Sequence, residues 1–192
     1  VGAFKLLLKN LYIIFTTFFL FSFTGWGINN QPKVVEALKK VLINDQKYRS
    51  KDFDNSFQSQ MNFADYVNFM IVKAVIKKYN WPYDSFISKE ESRIIFITIQ
   101  HAKLSVQKQY VSLISDAARI GKIKFTHLGL LQDRIAIQEG KPQIYGTQIG
   151  QDSETKEYFV LPVINMNLID ERRKLMGFTP MADYLKFWNI KL

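Results

Sequence analysis

The segment GKPQIYGTQIG, residues 140–150, sets Gln143, Tyr145, Thr147 and Gln148 close together. A solvated strand would ordinarily alternate Val with Lys, so this density of hydrogen-bonding side chains reads as the wall of a polar pocket. Strand alternation would put Gln143, Tyr145 and Thr147 on one face and Ile144, Gly146 and Gln148 on the other. A glycine inside a strand marks the close approach of a ligand or of another backbone. The plainer reading is room for a neighbouring helix, with the Gln side chains satisfying loop amides. A second candidate is His101, one of two histidines. It follows Ile94 and Ile97 and precedes Leu104 at helical spacings, so it points where core residues point. Imidazole is also the side chain whose ordinary pKa suits proton transfer near neutrality. A third anomaly is Leu38, Leu42, Asp45 and Arg49, which share a helical face and so set an acid and an arginine on an apolar line. Its minimal reading is a local ion pair worth a few tenths of a kcal/mol if exposed.

Other chemistries are disfavoured by what the sequence lacks. Without cysteine there is no thiolate nucleophile, thiolate metal site or disulfide, and two histidines do not make a His-rich zinc site. Neither a metal nor a cofactor is expected. Nucleophile elbow, SxxK, HExxH and phosphate-loop patterns do not occur. Paired carboxylates for glycoside hydrolysis would have to be Asp45 and Asp133. The formal charge of +9 is scattered over Lys39, Lys40, Lys77, Lys78, Lys122 and Lys124. It forms no basic stripe interleaved with aromatics, so it reads as a solvated surface rather than a nucleic-acid interface.

These candidates need elements to position them. Lys5 and Lys9 precede an uncharged run, Leu11–Phe23, rich in Phe. Residues 1–28 therefore read as a signal peptide or an N-terminal membrane anchor that exports the rest of the chain, which in a bacterium would be an envelope protein, periplasmic or held at the inner membrane by that segment alone. Residues 29–192 read as a single globular α+β domain, mostly helical, with a small antiparallel sheet in its C-terminal half. Helices are expected over KVVEALKKVLINDQKYR, from about Asn62 to Tyr79 with Phe63, Val67, Met70 and Ala74 along one side, from a Ser88–Glu91 capping box, and from about Val106 to Ile120. Asn80 is the expected left-handed cap. A hairpin is expected around Glu139–Gly140, with KEYFVLPV as third strand. A short helix capped by Asn167 and Gly177, and another from Thr179-Pro180, complete the set.

In their order and spacing, DQKYR, NWP, IQHAK, LQDR, GKPQIYGTQ and DERRKLMGFTPMADY resemble a bacterial family of uncharacterised proteins, domain of unknown function 6624, over roughly Leu38 to Tyr184. The resemblance carries no activity. It implies recurrent polar positions at Asp45, Gln46, Arg49, Gln100, His101, Asp133, Arg134, Gln143, Tyr145, Gly146, Thr147, Gln148, Arg172 and Arg173. Lys103 stands where the family often has an acid, and Asn80 where Gly is common. Within this set His101 and Asp133 are the candidate catalytic pair. Arg134, Arg172 or Arg173 would hold an anionic group bidentately, and the remaining polar positions are candidate ligand contacts. His101, Asp133, Tyr145 and Arg172 are expected to converge. Three classes of function follow: an acid–base hydrolase or transferase on a small polar or anionic substrate, a non-catalytic module binding a small ligand or peptide, or a structural protein whose polar set is a buried network.

Overall fold

The computed structural model describes residues 31–47, 49 and 57–190. Five helices come first: α1 Gln31–Lys47, α2 Gln58–Tyr79, α3 Lys89–His101, α4 Leu104–Arg119 and α5 Phe125–Gln138. Two short strands, β1 Ile149–Gln151 and β2 Tyr158–Val160, are followed by a 3-10 turn at Met166–Leu168, α6 Ile169–Met176 and α7 Met181–Phe187. The fold is α+β and mostly helical, with a small antiparallel sheet in the C-terminal half. Among the described residues, no helix is long and apolar enough to cross a membrane. The Leu11–Phe23 segment lies outside the described residues.

One apolar core runs through α1–α5. Leu38, Val41, Val72, Ile95, Ile99, Ile114 and Leu131 are sealed in it, and Trp81 caps it, with its indole N–H donating to Ser92 Oγ at 3.0 Å. In α1 the buried line is Val34, Leu38, Val41 and Asp45, at steps of four, three and four. The acid therefore occupies a core position. α2 is rotated from the expected orientation. Its buried residues are Ala64, Asn68, Phe69, Val72 and Val75, while Phe63 is 44% exposed and Ala74 is exposed. The polar residue at the helix contact is Asn68, whose Oδ1 accepts from Asn44 Nδ2 at 2.9 Å. Apolar counting assigned the face to side chains one position away.

Helix ends follow their local chemistry. Asn80 closes α2 at φ 54°. Ser88 opens α3 in a full capping box, its hydroxyl accepting from Glu90 N and Glu91 N while the Glu91 carboxylate accepts from Ser88 N at 3.0 Å. Gly177 ends α6 at φ 76°. Asn167 is not a cap; it lies inside the 3-10 turn, and Leu168 takes the N-cap position of α6 without a side-chain bond.

The expected hairpin around Glu139–Gly140 is not formed. Asp133–Gln138 is the last part of α5, and Gly140 at φ 72° turns the chain out of that helix. The antiparallel pair lies one segment later, Ile149 opposite Val160 and Gln151 opposite Tyr158. KEYFVLPV thus supplies the second strand of a two-stranded sheet, with no third strand among the described residues; Gln143 and Val163 form only an isolated parallel bridge. A second, smaller core of Ile169, Met181 and Leu185 holds Ile149, Val160 and Val163 beside α6 and α7.

Candidate functional site

The end of α1 and the end of α3 meet at an acid–histidine pair. Asp45 Oδ1 lies 2.7 Å from His101 Nδ1; the Asp45 side chain is 2% exposed and that of His101 18%. Gln46 Nε2 donates to the other oxygen, Oδ2, at 2.7 Å. Arg49 folds back beneath the pair. Its Nη1 donates to the Asp45 carbonyl at 2.7 Å and sits 3.1 Å from Oδ1, while Nη2 meets both oxygens of Asp65 at 2.7 and 2.8 Å. Burial pushes the Asp45 carboxyl up, but the His101 hydrogen bond and charge, with Arg49 and Gln46, outweigh it and hold the group below the usual aspartate value. With Nδ1–H donating to Asp45, Nε2 carries the free lone pair. Among the described residues Nε2 has no hydrogen-bond partner, and it is not one of the sealed unpaired atoms, so this edge of the ring is open.

α5 brings Arg134 to the same place. Its Nη1 reaches the carbonyl of Gln100, the residue before His101, at only 3.4 Å, and its buried Nε has no partner. Burial works against the Arg134 charge and so does the neighbouring Arg49. Gln107 of α4 secures this corner from below, its amide donating to the carbonyls of Gln100 at 3.0 Å and Ala102 at 2.8 Å.

The other acid of the expected catalytic pair does something else. Asp133, fully buried in α5, accepts from the backbone N–H groups of Ile144 at 2.7 Å, Tyr145 at 3.0 Å and Thr147 at 2.9 Å, and from the Thr147 hydroxyl at 2.9 Å. The segment first read as a strand is a loop wound around one carboxylate, so its side chains do not alternate between two faces. Gln143 is buried and satisfied: its amide donates to Gln148 O and Leu161 O, each at 2.9 Å, and its carbonyl accepts from Gln148 N at 2.8 Å. Gln148 Nε2 donates to Thr147 Oγ1 at 3.0 Å. Arg172 and Arg173 point at carbonyls of the same loop, Arg172 Nε to Ile144 O at 2.8 Å and Arg173 Nη1 to Tyr145 O at 2.6 Å. Arg173, 1% exposed, also lies over the rings of Phe178 and Tyr184. The Tyr145 ring packs 5.9 Å from Phe178, and burial first, then the Asp133 charge, raises its pKa against the opposing pull of Arg172.

The candidate residues therefore separate into two clusters. Asp45, Gln46, Arg49, Gln100, His101 and Arg134 surround the imidazole. Asp133, Gln143, Tyr145, Thr147, Gln148, Arg172 and Arg173 build the 143–148 loop, and the chain joins the two at Asp133-Arg134. The acid that meets His101 is Asp45. Sequence reading missed Asp65 and Gln107. Asp65 carried a usable signal, an acid beside the buried Ala64 of an amphipathic helix. Two surface depressions lie elsewhere: one of about 320 Å³ between Lys108, Ile135 and Ile144, and one of about 450 Å³ between Lys124, Phe125 and Leu175. Neither is lined by His101 or its partners. Among the described residues, no group of His, Asp and Glu is arranged to hold a metal.

A family model described as a family of unknown function (DUF6624) matches residues 36–190, a span that includes both clusters. The comparisons with curated proteins and with solved structures found no match.

Proposed function

The chain belongs to this family of unknown function, and we propose that it is an acid–base enzyme of the bacterial envelope, a hydrolase or transferase acting on a small polar or anionic substrate, with His101 as its base. The observation that carries the reading is the Asp45–His101 contact of 2.7 Å between a sealed carboxylate and an imidazole whose far nitrogen opens to solvent. Asp45 fixes the tautomer and would stabilise the imidazolium, the part an orienting acid plays in a nucleophile–base–acid arrangement. His101 Nε2 removes a proton from water or from an acceptor hydroxyl as that oxygen attacks the substrate, and returns it to the leaving group as the bond breaks. Asp133 is left out of the chemistry because both its oxygens are engaged by the loop. The export half of the proposal rests on the Lys5/Lys9 flank and the apolar run that follows it.

The Asp133 cluster favours a structural role for the second group of residues, since Asp133, Gln143, Arg172 and Arg173 each hold the backbone of the 143–148 loop. The test is turnover by the full chain over a panel of carboxylic esters, amides, phosphodiesters and glycosides, compared with His101→Gln and Asp45→Asn. A loss of at least 100-fold in His101→Gln, with the melting temperature lowered by no more than about 4 °C, is the expected result. Equal activity in the variant, or no turnover of any substrate class, would remove the catalytic reading.

A further inference from the structure

Four arginines stand among the candidate ligand contacts, and three of them are already occupied. Arg49 is committed to Asp45 and Asp65. Arg172 is spent on the carbonyls of Ile144, Ile164 and Asn165. Arg173 is spent on those of Tyr145 and Thr179. Arg134 alone of the four has no carboxylate and no short acceptor: one long contact to Gln100 O and a shielded Nε that bonds to nothing. A half-buried guanidinium in that condition is costly, because each unmet donor has given up water without replacement. The charge of Arg49 repels it as well.

We propose, resting on the reading of His101 as the base, that Arg134 is the substrate's anion receptor and that the group it takes is a singly charged oxyanion with two adjacent oxygens, as in a carboxylate or a phosphodiester. The planar guanidinium matches two such oxygens with two parallel N–H bonds. Local charge sets the valence. Arg49 and Arg134 bring two positive charges, and Asp45 and Asp65 two negative, so the corner is neutral when His101 is. A singly charged group then leaves the corner with one excess negative charge and a dianion leaves it with two, so the two carboxylates repel the dianion more strongly. Arg134 contacts the carbonyl of Gln100, the residue before His101, which puts the receptor at the end of α3 that carries the imidazole.

The experiment titrates the full chain, 15N-labelled, with acetate, dimethyl phosphate and inorganic phosphate at pH 8, following the arginine Nε–H and His101 ring signals. Saturable shifts of both by acetate or dimethyl phosphate are expected, and the tighter of the two identifies the substrate as a carboxylate or a phosphodiester. Arg134→Gln should weaken that binding at least tenfold. Arg119→Gln, which removes the same charge from an exposed pair with Asp116, should leave it unchanged. If Arg134→Gln does not fold, Arg134→Lys keeps the charge without the planar fork and should still weaken binding severalfold. Non-saturating shifts, equal weakening by Arg119→Gln, or tighter binding of the phosphate dianion would overturn the proposal. His101→Gln separates the two readings, since it should abolish turnover while leaving anion binding within about twofold.

Discussion

At the scale of the residue, two buried aspartates of the same chain do opposite work, and their partners account for the difference. Asp45 is shared among an imidazole, an amide and a guanidinium, all side chains that end at or near solvent. Asp133 is shared among three backbone N–H groups and a hydroxyl, all of one loop. Asp133→Ala should therefore destabilise the fold by about 3 kcal/mol or more, since it strips a buried carboxylate from donors that stay buried. His101→Gln should change stability by no more than about 1 kcal/mol, because one edge of the ring already faces water. Urea unfolding of both variants checks the pair, and a larger loss in His101→Gln would make the Asp45–His101 contact structural. The sequence could point to each of these residues but not to their partners. Asp45 and His101 were visible as polar groups on apolar helical lines. That they face each other depends on how α1 packs against α3, a contact between segments 56 positions apart that no periodicity encodes.

At the scale of the element, the helices were legible because each carries its own local signals: the Ser88–Glu91 box, Asn80 and Gly177 in left-handed backbone, and apolar spacing in α1 and α3. α5 was misread because RIAIQ alternates over a few residues, and a short alternating run also fits a helix end whose two sides are both half-buried. The 143–148 loop was misread for a related reason. Its backbone donors are satisfied by a carboxylate from α5, an acceptor that strand logic does not include. Gly146 keeps its importance under the corrected reading, with a different cause. Its φ is +69°, and an added Cβ would lie 2.9 Å from Ile169 Cδ1 and Met181 Cε, two side chains of the smaller core. Gly150 has ordinary backbone, and although a Cβ there would meet the Phe159 ring at 2.5 Å, that ring is 46% exposed and free to swing outward. Gly146→Val should cost about 1–2 kcal/mol in backbone strain and about 1–3 more in overpacking. Gly150→Val should cost clearly less. Thermal melts of the two variants compare them directly, and equal losses would show that the turn at Gly146 is not the constraint.

At the scale of the whole molecule, acid should weaken the fold in two separable stages, with His127 acting in the first and Asp45 among the carboxylates of the second. His127 stacks on Phe96 with ring centroids 4.5 Å apart, and its Nδ1 is buried without a partner. Burial first, then the charges of Arg93 and Lys124, pushes its pKa below the ordinary 6.5. The folded state therefore holds this ring neutral, while the unfolded chain takes up a proton near 6.5. The unfolded state binds more protons in that window, so stability falls as pH drops from about 6.5 towards the lowered folded value. Asp45 is depressed relative to 3.8, so its contribution is complete above about pH 4 and is lost only as pH falls through the folded value. The two windows do not overlap at their upper ends, which makes them assignable by substitution. His127→Phe keeps an aromatic stack on Phe96 and removes both the titration and the orphaned nitrogen. It should flatten the stability profile between about pH 7 and 5 and leave the steep loss below pH 4 in place, whereas Asp45→Asn should reduce only the latter. Denaturant unfolding of the three proteins at half-unit pH steps provides the comparison. A first stage that survives His127→Phe undiminished would mean that the Phe96–His127 stack does not hold a neutral imidazole in the core.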